Sequence, residues 1–510
     1  MSGKEHSGSA GIALDLGNGW SADLSGLHSG SKRVIHRDLL SDQGFRETVG
    51  EQDYDRRTTL SSLSAVLDGP LTSIGRVTPR AALGTEVREE ANKTFSLLRS
   101  TTTPPGTTNV SATVSDLDRT VRSVFGELRV PFVENGKPGL ERLELSLGAR
   151  QDWYSDVGDT LNWNYGLIWQ VSADWILRGN YATAFHAPSL VNLEPTAFGE
   201  LRSIADPANG ANTMSPVLFV GGKLPALPEE ASSWSASLDY APSFAPWANL
   251  SLSYISIEYQ NRIGSPMTSS ELPLALVRET RFPSLINRSP SVSDLENFFA
   301  QRTTETITNA QAFPAWDPTT GAAGLLGAIP NLILIDRRTQ NIAIETYRGI
   351  DLKLDTNFDT EIGRLTFGVN ATYLLERESA FTPTSEPFSQ LNEIGRPVDL
   401  RLRGNSGWTR GPWSAFVYLN YADSYPNNFS TPISKVGSWT TADVTLRFNG
   451  ARGVDGGWLR DIDMSLNVSN LFNEDPPSIE LVRGASGLSY DPANANPTGR
   501  FVTMSVTKRW

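Results

Sequence analysis

The sequence predicts an all-β protein, built as one large antiparallel transmembrane β-barrel of about 17 strands. Hydrophobic and polar residues alternate along many segments of about ten residues, which is the pattern of a strand between lipid and a wet interior. The connections between these segments alternate between long and short. No run of about 18 or more apolar residues occurs, so the sequence encodes no transmembrane helix.

Composition narrows the class of protein further. The chain has 510 residues and a net charge of −12, with a pI of about 5.0 and a mean hydropathy of −0.27. This acidic balance argues against a nucleic-acid partner, which needs a basic face. The absence of cysteine excludes disulfides, thiolate metal sites and cysteine nucleophiles. Residues 1–10 have no apolar core and are no signal peptide, so we expect a disordered N-terminus before a barrel at 11–510.

The clearest predicted strand runs from Leu161 to Val171. One of its faces is entirely apolar or aromatic, with Trp163, Tyr165 and Leu167 at its centre, and the other face is mostly Asn, Gly and Gln. Strands of this length with aromatic residues near their ends suit an apolar band between two interfaces. The same alternation occurs at 143–150, 175–182, 364–373, 413–421 and 461–469.

The last segment of the chain, residues 500–510, predicts the closing strand of the barrel. Val502, Met504 and Val506 share one face with Lys508, and the strand ends on Trp510. An aromatic ring at the end of a strand is stable at a membrane interface. Taken alone, this segment also fits the edge strand of a soluble sheet, because alternation is common in both.

The connections favour a membrane barrel over a soluble one. Long connections are predicted at 473–499, 424–437, 377–397, 264–345, 187–231 and 93–118, and short ones at 450–457, 410–412, 359–362, 241–248 and 172–174. Only the short connection at 156–159 breaks the alternation. Outer-membrane barrels have short periplasmic turns and long extracellular loops, whereas a soluble sandwich has no reason to alternate them. A propeller would show a repeat of about 40–50 residues, which we do not find.

Three parts of the sequence resemble the C-terminal part of a TonB-dependent outer-membrane receptor. Leu145–Asp156 (LSLGARQDWYSD) and Trp175–Leu190 (WILRGNYATAFHAPSL) are similar to strands in the middle of the family's barrel, with His186 where the family often has Arg. Met464–Pro477 (MSLNVSNLFNEDPP) is similar to the penultimate strand and its turn. Tyr490–Trp510 resembles the closing segment, with its YDP…N…GR pattern.

The resemblance, which covers roughly residues 57–510, implies a receptor in the outer membrane of a Gram-negative bacterium. Such a receptor contacts outer-membrane lipid, is inserted by the barrel assembly machinery, and takes up an extracellular substrate such as a siderophore, vitamin or glycan. The energy comes from the TonB system, and only when a plug is present upstream of the barrel.

Members of this family begin with a signal peptide, a TonB-contacting segment and a plug, followed by about 22 strands. None of the first three is recognisable in this sequence, so we expect an N-terminally truncated barrel with the last 17 of those strands. A plugless passive pore or inactive receptor remnant is one alternative. A soluble all-β glycan-binding protein is another.

Candidate site residues fall on inward strand faces and in the longest loop. Eight inward charges are expected either to contact a plug or substrate, or simply to line a wet lumen: Arg150, Asp152, Arg178, Asp351, Lys353, Asp355, Asp443 and Arg447. Aromatic and arginine side chains in the loop 264–345 suit ligand contact at low entropic cost, but they also suit packing within the loop: Phe298, Phe299, Phe313, Trp316, Arg337 and Arg338.

The sequence contains no recognisable catalytic motif. The four histidines lack metal-ligand spacing, and the sequence has neither a glycine-rich phosphate loop nor a nucleophile elbow. We therefore expect no enzymatic activity, no cofactor and no metal site.

Overall fold

The computed structural model describes most of the chain. The described residues are 2–41, 47–101, 108–193, 196–210, 213–267, 271–282, 284–301, 307–309, 320–380, 386–427, 430, 432–452, 457–479 and 489–509. In chain order, their strands are β1 Ser2–Gly17, β2 Trp20–Ser41, β3 Glu47–Pro70, β4 Arg80–Thr101, β5 Thr108–Val133, β6 Arg142–Tyr154, β7 Gly158–Gln170, β8 Trp175–His186, β9 Thr196–Ala205, β10 Met214–Lys223, β11 Glu229–Tyr240, β12 Ala248–Gly264, β13 Ile286–Asn287, β14 Ile307–Asn309, β15 Ile333–Asp336, β16 Gln340–Thr360, β17 Gly363–Ala380, β18 Phe388–Ser389, β19 Leu400–Arg410, β20 Trp413–Ala422, β21 Tyr425–Asn427, β22 Ser434–Val436, β23 Trp439–Asn449, β24 Ile462–Ser469 and β25 Phe501–Lys508. The α-helices are α1 Val292–Gln301 and α2 Gly321–Ala328.

Strand pairing in the main sheet follows chain order. This sheet has 18 strands, of which the two-residue β18 only pairs with the end of β17. We call the other seventeen the wall strands: β1 to β8, β11, β12, β16, β17, β19, β20 and β23 to β25. Each wall strand pairs antiparallel with the next one along the chain. The predicted all-β antiparallel fold with about 17 strands is therefore confirmed.

The two faces of the main sheet differ in chemistry. On one face of β7, Trp163, Tyr165 and Leu167 are 41, 39 and 43% exposed although they are large and apolar or aromatic. Arg150 and Asn162, paired across β6 and β7, lie on the opposite face. A strand with lipid on one side and water on the other needs this separation. We call these the apolar face and the polar face.

The closing strand follows the same division. Val502, Met504 and Val506 of β25 are paired with Val468, Leu466 and Met464 of β24, and all three β25 side chains are more than half exposed on the apolar face. Trp510 lies outside the described residues.

The start of the chain corrects one expectation. Residues 2–10 are not a disordered tail but the first half of β1, where Ser2 to Ala10 pair with Val34 to Gly26 of β2. Their small or polar side chains give no apolar alternation, because the strand is held by its backbone ladder to β2 and not by burial.

A second correction concerns the predicted long connection at 93–118. Most of it is strand, because β4 continues to Thr101 and β5 begins at Thr108, and these two residues pair. Threonine is frequent there and favours extended backbone. The short connection between β6 and β7, at 155–157, is as predicted.

The main sheet is open at both ends. Among the described residues, β1 pairs only with β2 and β25 only with β24, and no pairing joins β1 to β25. Every residue of β1 is exposed. Each edge therefore carries a row of backbone N–H and C=O groups with no strand beside them.

The two longest loops fold together into a second sheet. Residues 187–228 contribute β9 and β10, and residues 265–339 contribute β13, β14 and β15, in the order β13-β15-β10-β9-β14. β10 is parallel to β15, and β9 is parallel to β14. We call this sheet, with α1 and α2, the loop domain.

Alternation along β10 gives the loop domain two cores. Val217 and Phe219 are fully buried in a cluster with Phe282, whereas Leu218 is fully buried on the other face against Leu325 of α2. The apolar stretch at 324–335 supplies side chains to both of these cores. Strands buried on both faces are typical of parallel pairs covered by helices.

A buried charge network joins the two loops of this domain. The Asp206 carboxylate, after β9, is fully buried and accepts two hydrogen bonds from Arg288, at 2.9 and 3.0 Å. Ser215 Oγ donates to the same carboxylate at 2.6 Å, and Arg288 also binds Glu279. The Arg288 guanidinium lowers the pKa of Asp206 below its ordinary value of 3.8. This network fixes the first long loop to the second.

We expect the open edges to prevent residues 1–510 alone from forming a closed barrel in detergent. Each unsatisfied backbone group facing an apolar phase costs several kcal/mol, so two open edges oppose stable insertion. The measurement is gel migration of the refolded chain with and without heating. Closed barrels migrate faster unheated, and a fast-migrating unheated band would contradict this expectation.

We expect Asp206→Asn to destabilise the loop domain by about 3 kcal/mol, because it removes the buried one of the two carboxylates that bind Arg288. The contribution of Asp206 is complete above the ordinary carboxyl value of 3.8 and is lost as the pH falls through its lower folded pKa. Limited proteolysis of the loop domain between about pH 6 and 2 measures this. Glu296→Gln, on the exposed side of α1, is the control. Equal cleavage rates in both variants would contradict the expectation.

Candidate functional site

A cavity of about 560 Å³ lies on the polar face of the main sheet. Its wall comes from β1 to β4, and the 3₁₀ turn Leu190–Asn192, at the start of the first long loop, closes one side. Most of the residues that line it carry hydroxyl, carboxylate or amide groups. They are Glu5, His6, Ser7, Ser29, Gly30, Ser31, Arg56, Thr58, Thr59, Leu60, Glu90, Ala91, Asn92 and Ser189 to Val191.

Arg56 is the cation in the wall of this cavity. Its Nε donates to Asn92 Oδ1 at 2.7 Å, and Asn92 is only 3% exposed. Alternation brings both side chains to the polar face, because they lie in the adjacent strands β3 and β4. The Asn92 contact orients the guanidinium and leaves its other N–H groups able to bind an acceptor in the cavity.

A ladder of alternating charges crosses β4, β5 and β6 beside the cavity. Successive side chains along it lie 2.7 to 3.9 Å apart, in the order Asp152, Arg150, Glu86, Arg88, Glu90, Arg119 and Asp156. Glu90 also lines the cavity. Neighbours of opposite charge lower the cost of holding each ion away from bulk water.

Arg119 ends this ladder and fixes the first long loop to the wall. It is 3% exposed and donates to both carboxylate oxygens of Asp156, at 2.7 to 2.9 Å. Its Nη2 also donates to the carbonyl of Pro188 at 2.9 Å, and its guanidinium lies over the ring of Tyr154. Pro188 precedes Ser189, so this contact positions the loop segment that closes the cavity.

Loops at the same end of the sheet meet around Asp491. Its buried carboxylate accepts hydrogen bonds from the Tyr425 hydroxyl at 2.7 Å, the Asn494 amide at 2.9 Å and the Gly395 backbone at 3.1 Å. Burial, and secondly this carboxylate, raise the pKa of Tyr425. Asp491 and Asn494 belong to the segment that resembles the family's closing pattern, but the sequence assigns them no role.

The loop domain is tied to these loops as well. Arg281 forms an ion pair with Glu393, and Arg396 pairs with Glu271 at 3.0 Å. An apolar cluster supports these contacts and contains Leu274, Ile394, Val398, Ala422, Tyr425, Val436 and Ile479. The long connections therefore pack together as one cover at one end of the sheet.

The structure gives the predicted ligand-contact residues internal partners. Arg337 lies 3.5 Å from Glu200 and over the ring of Phe198, and Arg338 binds Asp336 at 2.5 Å. These contacts are within the loop domain and favour the packing alternative. Phe313 and Trp316 lie outside the described residues.

The predicted inward charges share the polar face, and each has a partner among the described residues. Arg150 binds Glu86 and Asp152 at 2.8 Å each, and Arg178 pairs with Asp239. The remaining contacts join Thr372 to Asp351, Lys353 to Asp355, Asn420 and the Asn470 backbone to Asp443, and Arg447 to Asp463. Contact with a plug or substrate stays a prediction for these residues. Arg56, Arg119 and Asp491 were missed, because alternation alone does not identify cross-strand partners.

No helix in the described part of the chain has both the length and the apolar character to span a membrane.

Comparison with known proteins identifies the fold. The family model described as "TonB dependent receptor-like, beta-barrel" matches residues 2–471. No curated protein matches the sequence. The ferripyoverdine receptor of the outer membrane of Pseudomonas aeruginosa, bound to ferripyoverdine, has a TM-score of 0.54 at 12% identity, covering 98% of this chain and 56% of its own.

Two further solved structures are similar. The ferric citrate transporter FecA in the unliganded form has a TM-score of 0.53 at 10% identity, covering 98% of this chain and 61% of its own. The siderophore receptor PirA from Acinetobacter baumannii has a TM-score of 0.49 at 13% identity, covering 99% and 70%. The chain thus spans just over half of the first of these receptors.

The matched family is one of receptors, in agreement with the expectation that the chain is not an enzyme. Their place is the bacterial outer membrane, which accounts for the exposed apolar face of the main sheet. With a family model matching nearly its whole length and a sheet of the same architecture, the chain belongs to the TonB-dependent receptor family, as its β-barrel part.

Proposed function

We propose that this barrel takes up a ferric siderophore from outside the cell, and that the cavity at β1 to β4 is a binding position on its route. The observation that carries the proposal is the position of this cavity, on the polar face and next to the first long loop. A solute that crosses an outer-membrane barrel must pass along its polar face, because the opposite face contacts lipid.

The lining of the cavity suits a polar ligand with many hydrogen-bond acceptors. Arg56 offers N–H donors, and the serine and threonine hydroxyls around it can donate or accept. Iron chelates carry carboxylate, catecholate or hydroxamate oxygens, which are acceptors of this kind. The similar structures include receptors whose names specify ferripyoverdine and ferric citrate, and we extend that substrate class to this chain.

The cover of packed loops supplies the first contact with the substrate in this proposal. The loop domain is bound to the neighbouring loops through Arg281 and Glu393, so it meets the ligand as a preformed surface. Inward transport requires energy from the TonB system acting on a plug within the barrel, and insertion requires the barrel assembly machinery. The charge ladder from Asp152 to Asp156 offers the polar surface that a plug would contact.

We expect Arg56→Gln to weaken substrate uptake by roughly tenfold, because one hydrogen bond to a charged group contributes about 1.5 kcal/mol. The substitution is made in the chromosomal gene, and uptake of radioactive iron is measured with catecholate, hydroxamate and citrate chelates. Arg57→Gln is the matched control, because Arg57 is the next residue of β3 and faces the apolar side. Unchanged uptake of every chelate by Arg56→Gln cells, or equal loss in both variants, would contradict the proposed site.

We expect Arg119→Gln to release the segment at 187–193 from the wall and to raise the concentration of chelate needed for half-maximal uptake. Glutamine cannot replace the bidentate contact with Asp156 while also binding the Pro188 carbonyl. Protease cleavage within 187–193 on intact cells reports the release, and Arg122→Gln, exposed in the same strand, is the control. Cleavage at the wild-type rate would show that Arg119 does not fix this segment.

A further inference from the structure

Four side chains on the apolar-face side of the β2–β3 hairpin form a compact square. His36 pairs with Asp53 across the two strands, and Asp38 pairs with Glu51. Ligand atoms of His36, Asp38 and Glu51 all lie within 4.8 Å of one another. We propose that this square is a binding site for a divalent transition-metal cation of the Zn²⁺ type.

Asp53 prepares His36 for this role. The Asp53 carboxylate lies 2.7 Å from Nδ1 of His36, which places the imidazole proton on Nδ1 and leaves Nε2 as the free nitrogen. Nε2 faces Asp38, whose carboxylate oxygen is 3.4 Å away. A carboxylate behind a histidine ligand is the usual arrangement at metal sites, because it orients the ring and makes the ligating nitrogen more basic.

The donor set favours a transition-metal cation over calcium or magnesium. One imidazole nitrogen and two carboxylates match the ligands that zinc and its neighbours prefer, whereas calcium and magnesium take oxygen ligands alone. Zinc bonds to nitrogen and oxygen are about 2.0 to 2.2 Å long, so the three exposed side chains need to draw together by small rotations. Further coordination positions would be open to water.

Charge supports the same conclusion. Asp38, Glu51 and Asp53 contribute −3, and the neighbouring Arg99 of β4, 3.6 Å from Glu51 and 4.0 Å from Asp53, contributes +1. The square with its neighbour therefore carries −2 when the imidazole is neutral, which a dication neutralises. Arg99 reduces the repulsion between the carboxylates when no cation is bound.

The position of the square separates it from the cavity. His36 shares its strand face with Leu24, but it lies twelve residues further along β2. That is about 40 Å along the strand, or roughly 30 Å along the axis of a barrel with tilted strands. The apolar band of such barrels is about 25 Å tall, so the square lies beyond it, open to the external medium.

The experiment is titration of the protein, purified in detergent from the outer membrane of the producing cells, with CoCl₂ and then ZnCl₂. Visible absorption of Co²⁺ reports nitrogen–oxygen coordination, and its loss on zinc addition reports competition. We expect one saturable Co²⁺ site that disappears in His36→Ala. In Asp53→Asn we expect roughly 10- to 100-fold weaker binding, because the ring loses its orienting carboxylate.

His186→Ala is the matched control, because His186 makes the same kind of contact with a carboxylate, at 2.6 Å from Glu229, outside this square. Its Co²⁺ binding should equal that of the wild type. The proposal is overturned if the wild type shows no saturable binding, or if His36→Ala binds as the wild type does. An equal loss in the His36→Ala and His186→Ala variants also overturns it. The substituted side chains of His36 and Asp53 are about half exposed on a hairpin surface, so the substitutions leave the fold intact, which far-UV circular dichroism checks.

Discussion

The main sheet, which positions the other parts of this molecule, depends on the need to pair backbone N–H and C=O groups where water is absent. In an apolar phase, an extended chain can meet that need only by a ladder to its neighbours, and seventeen wall strands do so in chain order. Because side chains alternate across such a ladder, the ladder itself creates an apolar face and a polar face. The cavity, the charge ladder and the anchoring Arg119 follow from the second face, and the lipid contact follows from the first.

The wall was predictable from sequence because its signal is periodic and local. Alternation located β7 to within a few residues. The lengths of the connections indicated which end of the barrel carries the long loops and which carries the short turns. The loop domain was not predictable in this way, because β10 pairs with β15 more than a hundred residues later and nothing local in either strand specifies the other. The hairpin of β4 and β5 was also missed, because its polar composition resembles that of a loop.

The contacts of the site residues were even harder to predict, because they depend on the register between strands. Alternation correctly placed Arg150 and Asp152 on one face, but register decides that Arg150 meets Glu86, a residue 64 positions earlier. The square of His36 and its neighbours escaped notice for the same reason. Its four residues are spaced by two within each strand and are joined only by the pairing of β2 with β3. Metal-ligand spacings learned from helices and loops do not describe a hairpin face.

The distribution of buried charge also limits how the cover of loops can move. Asp206, Glu271 and Asp491 are buried, and each is bound by groups from another connection or another part of the same one. Separating any of these partners would leave an uncompensated charge, at a cost of about 3 to 5 kcal/mol. The free-energy cost of opening a path to the cavity is therefore lowest when the cover moves as a unit and these contacts stay intact. The contact between Arg119 and Pro188 lies where that unit meets the wall, so it is the natural place for such a movement to begin.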